Sequence, residues 1–181
     1  MTAITIASLS HARKHKRLYQ AVITVEDPAC RPADRLRFHR SPSPPQLVLA
    51  FEDVDDAGSG VRVATRDQVE SALAFARAHQ QGSILVHCFH GVGRSAALAL
   101  AVLAERYGLD RERDAVAELF ANRPEATPNL VVVTLADQIL ARDGALVSAL
   151  AAWEAAAPGM AEKRRARSDL LRTRPDLFTF N

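Results

Sequence analysis

Ser83-Ile84-Leu85-Val86-His87-Cys88-Phe89-His90-Gly91-Val92-Gly93-Arg94-Ser95 is the stretch that decides how the rest of the chain is read. An apolar run ends at a cysteine. A glycine-bearing loop follows, then an arginine, then the apolar segment Ala96 to Leu103. The pattern reads as strand, loop and helix. In such a loop the backbone N–H groups of residues 89 to 94 can turn inward and bind an anion. Gly91 and Gly93 supply backbone angles that other residues resist. Arg94 can grip two oxygens of a phosphate in a planar fork. Cys88 lies under the positive end of a helix that begins near Ser95. A helix N-terminus and a nearby arginine both favour the thiolate, and can lower a thiol pKa from about 8.5 into the ~3.5–7.5 range. The stretch therefore predicts a thiolate aimed at a bound phosphorus, cradled by Phe89, His90, Gly91, Val92, Gly93 and Arg94. A buried cysteine is common in any core; the strand–loop–helix setting gives this one a chemical reading.

Upstream, three more strands are expected. Ala3 to Ala7 alternates apolar and polar residues. Gln20 to Val25 is a β-branched run suited to a buried parallel strand. Gln46 to Phe51 runs straight into the acidic loop Glu52-Asp53-Val54-Asp55-Asp56-Ala57-Gly58. Active-site residues of open α/β sheets stand at such strand ends. The run from Ser8 to Arg17 is rich in Arg, Lys and His, and reads as a helix or a loop: a solvated face, or a basic rim that attracts an anionic substrate. Pro28, Pro32, Pro42, Pro44 and Pro45 make residues 28–46 an irregular loop, with one short strand near Leu36 to Phe38. Thr65-Arg66-Asp67-Gln68 is a capping box for a helix that buries Val69, Ala72, Leu73 and Ala76.

Downstream, the segment from Ser95 to Tyr107 is apolar nearly all round, which predicts a central buried helix ended by Gly108. Asp110 is the expected cap of the next helix, with Val116, Leu119 and Phe120 inward. Thr127 as N-cap and Pro128 at the first helical position start another, running to about Arg142. Ala145 to Ala157 is a further amphipathic helix carrying Leu146, Leu150 and Trp153. The expected organisation is a domain over residues 1–157 and a basic tail over 158–181. That tail either docks through Leu170, Leu171, Phe178 and Phe180 or stays mobile.

His87-Cys88, five further residues, then Arg94-Ser95 resembles the signature loop of the cysteine-dependent protein tyrosine phosphatases. The likeness is strongest to the compact dual-specificity type, small bacterial members included. Arg123-Pro124 followed by Pro128-Asn129 resembles a second family element. The resemblance implies phosphomonoester hydrolysis through a phosphocysteine on Cys88, with phosphotyrosine as the first substrate choice. It implies that Ser95 eases departure of the thiolate, that His87 orients the loop, and that Asn129 braces it. It also implies an aspartate general acid at a strand end before the cysteine. Asp53, Asp55 and Asp56 precede Cys88 by 35, 33 and 32 residues. Spacing favours Asp55 or Asp56, whereas strand-end position favours Asp53, which is the first choice. His90 departs from the commonest small bacterial pattern and occurs in relatives acting on RNA 5′-triphosphates. The paired lysines that favour phosphoinositides are missing. Phosphatases of RNA 5′-phosphates or other non-protein phosphates, and a phosphate-binding module with weak catalysis, are the alternatives.

Composition sets the outer bounds. The 181 residues, 48% apolar and 24% charged, suit one globular domain. A net charge of +2 makes no case for nucleic acid. Cys30 and Cys88 form no disulfide framework, and a nucleophilic thiolate needs the reducing cytoplasm. Cys30 reads as a bystander rather than a redox partner. The N-terminus lacks a signal-peptide pattern, and the stretch from Ala96 to Ala104 is too short to span a bilayer. No metal or cofactor is expected, because Arg94 and the loop amides carry the charge. The fold expected is α/β: a central, mostly parallel sheet of four to five strands flanked by helices.

Overall fold

The β-branched runs come together as one sheet. A computed structural model describes residues 3–38, 40–58 and 60–174, Leu171 without its side chain. Strands β1 (Ile4–Ser8), β2 (Ala21–Glu26), β3 (Gln46–Ala50) and β4 (Ile84–Cys88) are all parallel, in the order β1-β4-β2-β3. β4 is thus interior, and all five of its residues are buried. Its run is continuously apolar up to His87, as a strand covered on both faces requires. The helices are α1 (Leu9–His15), α2 (Arg66–Ala78), α3 (Arg94–Tyr107), α4 (Glu112–Asn122), α5 (Leu130–Ile139), α6 (Ala145–Ala156) and α7 (Met160–Thr173).

Strand alternation divides the core. Ile23, Val25, Val86 and Cys88 face the larger layer, where α2 to α6 pack around α3. Ala7, Val22 and Leu85 face the smaller layer, closed by Leu9 and Ala12 of α1 and by Leu36. Eleven residues of α3, Arg94 to Ala104, are buried, so this helix is the hub its sequence predicts. All four strands end at the same edge, and the loops that follow meet there.

Several local readings shift. No strand forms at Leu36 to Phe38, because side chains take the carbonyls a ladder would need. Gln46 Nε2 and Arg37 Nη1 both donate to the Leu36 carbonyl at 2.8 Å, and Lys16 Nζ donates to the Arg37 carbonyl at 2.6 Å. The basic run from Arg13 to Arg17 belongs to the same arrangement. Arg13 donates to the Ala33 carbonyl, and Arg17 to those of Arg40 and Pro42, so these cations clamp the proline-rich loop instead of merely solvating a face. Asp110 does not cap α4. It adopts φ +62°, a left-handed turn that short polar residues tolerate, and Arg111 holds the cap position. The cap of α5 is Asn129, whose Oδ1 accepts from the Val132 N–H at 3.1 Å, rather than Thr127, so Pro128 precedes the helix instead of opening it. Residues Met160–Thr173 form α7, which docks by Met160, Arg164 and Arg167. Leu170 remains 41% exposed; Phe178, Phe180 and the Leu171 side chain lie outside the described residues. Among the described residues no helix is long and apolar enough to cross a membrane.

Buried Asp137, on α5, substitutes for a missing cap on α6. Gly144 precedes that helix with no side-chain oxygen of its own, and the Asp137 carboxylate accepts N–H bonds from Gly144 at 2.7 Å and Leu146 at 2.9 Å. Asp137→Ala leaves these donors buried without an acceptor and should cost about 2–3 kcal/mol, read as a lower denaturation midpoint with an unchanged denaturant slope. A midpoint within experimental scatter of wild type would show that solvent serves those amides.

Candidate active site

The turn between β4 and α3 brings the chemistry-bearing residues together. Cys88 Sγ is buried, 3.2 Å from Ser95 Oγ and 3.3 Å from the Gly91 N–H that donates to it. The turn lies hard against β1. A Cβ on Gly91 would stand 2.5 to 2.6 Å from the Ala7 carbonyl group and the Ser8 nitrogen, and Gly91 has φ +78°. Only glycine satisfies both conditions. Arg94 is 4% exposed. Its Nη1 donates to the Phe51 carbonyl at 2.8 Å and pairs with Asp27 Oδ1 at 2.8 Å. Burial lowers its pKa, but the charges of Cys88, Asp53 and Asp27 more than offset this, and it stands above the ordinary value. Its Nε is buried with no partner among the described residues, a donor that a bound oxyanion would satisfy.

His87 points to the other face of the sheet, beside its register partner Thr24. Gln46 Nε2 donates to Thr24 Oγ1 at 2.7 Å, and the same hydroxyl is hydrogen-bonded to His87 Nε2 at 2.9 Å. Burial drives the His87 pKa down to about 4, partly offset by a contact with the Cys88 backbone. His87 is therefore a neutral strut, not a proton carrier at neutral pH. Phe89 and His90 are exposed at the mouth, edge to face with ring centroids 4.8 Å apart.

The three aspartates separate cleanly. Asp53 reaches over the turn: a Cβ on Gly93 would meet Asp53 Oδ2 at 2.3 Å. Its other oxygen, Oδ1, accepts from Asn129 Nδ2 at 3.1 Å and Arg167 Nη2 at 2.9 Å. Asp55 is used up in structure, accepting from the Leu130 N–H at 2.9 Å and Arg167 Nε at 2.9 Å. Asp56 turns back on its own loop and accepts from the Gly58 N–H at 2.8 Å. Asn129 joins the two halves of the site. Its backbone N–H donates to the Gly93 carbonyl at 3.3 Å, and its Nδ2 also donates to the Val54 carbonyl at 3.0 Å. Arg123 Nε donates to the Gly91 carbonyl at 3.1 Å. Cys30 lines the same small cavity as Cys88. Burial and the charges of Glu26, Asp27 and Asp34 raise its pKa, which disfavours a thiolate there.

Sequence reasoning missed Asp27, Glu52, Thr24 and Arg167. Asp27 and Glu52 follow the C-terminal ends of β2 and β3, on the edge where Cys88 ends β4, so the strand-end rule was the available signal. Nothing local marks Arg167, 114 residues from Asp53. Among the described residues no group of three or more His, Cys, Asp or Glu could hold a metal ion.

Solved structures share this architecture. The human tyrosine phosphatase-like serine/threonine/tyrosine-interacting protein is 24% identical, with a TM-score of 0.54 over 74% of this chain and 82% of its own. Human DUSP28 is 21% identical, with a TM-score of 0.55 over 75% of this chain and 86% of its own. Tk-PTP in its active form is 18% identical, with a TM-score of 0.56 over 78% and 94%. The chain has the fold of the dual-specificity and tyrosine phosphatases. Neither family models nor curated protein sequences match it.

Glu52 adds a pH signature. Burial, then the neighbouring charge of Asp27, pushes its carboxyl from 4.5 up to about 7, against the pull of Arg94. Between pH 4.5 and 7 the folded chain keeps a proton that the unfolded chain releases, so Glu52 removes stability as pH rises through that window. His87 has the opposite sign between 4 and 6.5, where the unfolded chain binds the extra proton. The two slopes oppose each other in the wild type, so the comparison with a variant is the informative one. Glu52→Gln should melt increasingly above wild type from pH 5 to 7 and hold that margin at pH 8. Melting curves that differ by the same amount at pH 5 and pH 8 would show that Glu52 titrates normally.

Proposed function

We propose that this chain hydrolyses phosphate monoesters through a covalent phosphocysteine, with phosphotyrosine in proteins as the favoured substrate. One observation carries the reading. Cys88 Sγ accepts from the Gly91 N–H of the turn of residues 89–94, and Asp53 Oδ2, the carboxylate oxygen that accepts no hydrogen bond from the described residues, lies against Gly93 of the same turn. In the first step Cys88 Sγ attacks phosphorus, the S–P bond forms and the P–O bond to the leaving group breaks. Asp53 Oδ2 delivers its proton to the leaving oxygen. The loop amides and Arg94, including its Nε, take up charge on the equatorial oxygens. In the second step Asp53 Oδ2 takes a proton from water, the water oxygen bonds phosphorus and the S–P bond breaks. Phosphate leaves, and Ser95 Oγ–H supports the returning thiolate. The reading requires no metal ion.

Two features support a protein substrate. The mouth is open at Phe89 and His90, and a groove beside it is lined by Ser10, Arg13 and Lys14, which suits an anionic chain flanking the phosphate. The same cations suit the 5′ end of an RNA, so both substrates belong in the assay.

Phenyl phosphate, a phosphotyrosine peptide and a 5′-phosphorylated RNA should be offered without metal to wild type, Cys88→Ser, Asp53→Asn and Asp56→Asn. Cys88→Ser should fall to background. Asp53→Asn should lose about 100-fold on phenyl phosphate, the lower range for a general acid. Asp56→Asn should match wild type. Faster turnover of the RNA than of the peptide would move the substrate class. Tight vanadate binding with no turnover of any substrate would replace the enzyme with a phosphate-binding module.

A further inference from the structure

The basic C-terminal segment is not an appendage. Arg167, from α7, reaches the acidic loop through Nη2 and Nε. Nη2 donates to Asp53 Oδ1 and to the Asp53 carbonyl, both at 2.9 Å, and Nε donates to Asp55 Oδ2 at 2.9 Å. The side chains of Arg167, Asp53 and Asp55 are only 12%, 15% and 11% exposed, so this is not a screened surface pair. Arg164, one turn earlier, pairs with Asp55 and with Glu154 of α6, and donates to the Pro128 carbonyl at 3.0 Å. Lys163 donates to the Glu125 carbonyl. α7 therefore grips both segments that converge on the turn: the acidic loop, and the 125–129 segment that bonds Val92 and Gly93.

The division of labour on Asp53 matters most. Oδ1 takes two donors, Arg167 and Asn129, while Oδ2 faces Gly93 and accepts none among the described residues. A carboxylate held by one oxygen keeps the other in a fixed place, and general acid catalysis depends on that placement. Asn129 alone leaves the carboxylate a pivot. The planar Arg167 fork, bonded to the backbone and side chain of one residue and to a second carboxylate, removes it.

We infer that Arg167 is a positioning residue for the Asp53 general acid, and that the catalytic unit extends through α7. The inference rests on the phosphatase reading. Arg167 does not touch the reacting atoms. It acts by holding Asp53 Oδ2 over the phosphate turn. A substrate whose leaving group needs no proton should hardly register its loss, and one with a poor leaving group should.

The test uses the full chain with Arg167→Ala, Arg167→Lys and, as a control on the same helix, Arg172→Ala. Turnover of phenyl phosphate should drop about 10-fold or more in Arg167→Ala, and turnover of dinitrophenyl phosphate less than about threefold. Arg167→Lys should recover part of the difference, because a point charge cannot reproduce the fork. In an Asp53→Ala background, Arg167→Ala should cost nothing further. Backbone amides 53–58 should exchange hydrogen faster in Arg167→Ala while β2 and β4 keep their protection, and Arg172→Ala should behave as wild type in every assay. Equal losses on the two esters, or an undiminished loss in the Asp53→Ala background, would reduce Arg167 to a structural clamp and overturn the inference. Unchanged exchange at 53–58 would overturn it as well, and needs no turnover. Failure of the parent reading looks different: Cys88→Ser then retains wild-type activity, or the wild type turns over neither ester.

Discussion

A buried guanidinium organises this molecule. Arg94 opens α3 almost out of contact with water, and a charge in that position has to be met by groups of opposite sign. Asp27 at the end of β2, the Phe51 carbonyl at the end of β3 and the Cys88 sulfur at the end of β4 meet it. The carboxyl ends of three strands are thereby drawn to one point. Anchoring of Nη1 leaves the rest of the fork without freedom to wander, and Nε stays buried without a partner among the described residues. A phosphate dianion is the kind of ligand that such a half-satisfied fork accommodates.

Around this centre the carboxylates differ in condition. Asp27 is paired with Arg94, and Asp55 is consumed by α5 and α7. Glu52, crowded by Asp27 and short of donors, holds its proton near neutrality. Asp53 alone has one oxygen anchored and the other turned over the phosphate turn. Proximity in sequence therefore says little about role. Three acids close in sequence, Glu52, Asp53 and Asp55, are separated by which donors reach them, and the donors come from Asn129, Arg164, Arg167 and the first turn of α5.

The framework is economical in its use of backbone. One amide of Asn129 supports the turn while its side chain supports the acidic loop, so the two halves of the site move as one body. On the opposite side of the sheet the Gln46–Thr24–His87 chain props β4 without placing a charge there. Arg13 of α1 and Lys16 and Arg17 just after it bind carbonyls of the proline-rich loop, which gives an otherwise irregular segment a fixed seat.

Much of this was legible in the sequence because it is local. Strand periodicity, the capping box at Thr65, the apolar run of α3 and the spacing from Cys88 to Arg94 all follow from neighbours along the chain, where backbone geometry and hydrophobic pattern act directly. The spacing between cysteine and arginine is set by the length of one turn, and Gly91 and Gly93 stand where that turn meets β1 and Asp53. The remainder was decided in three dimensions. The sequence left three aspartates open at the acidic loop, and their different partners follow from how α5 and α7 pack. The caps of α4 and α5 moved because Asp110 took a left-handed turn and Asn129, drawn in by Gly93 and the acidic loop, caps α5. Arg167 lies 114 residues from Asp53 with no periodicity linking them. A long-range ion pair is made by the approach of two surfaces, and no pattern within either segment encodes the other's charge.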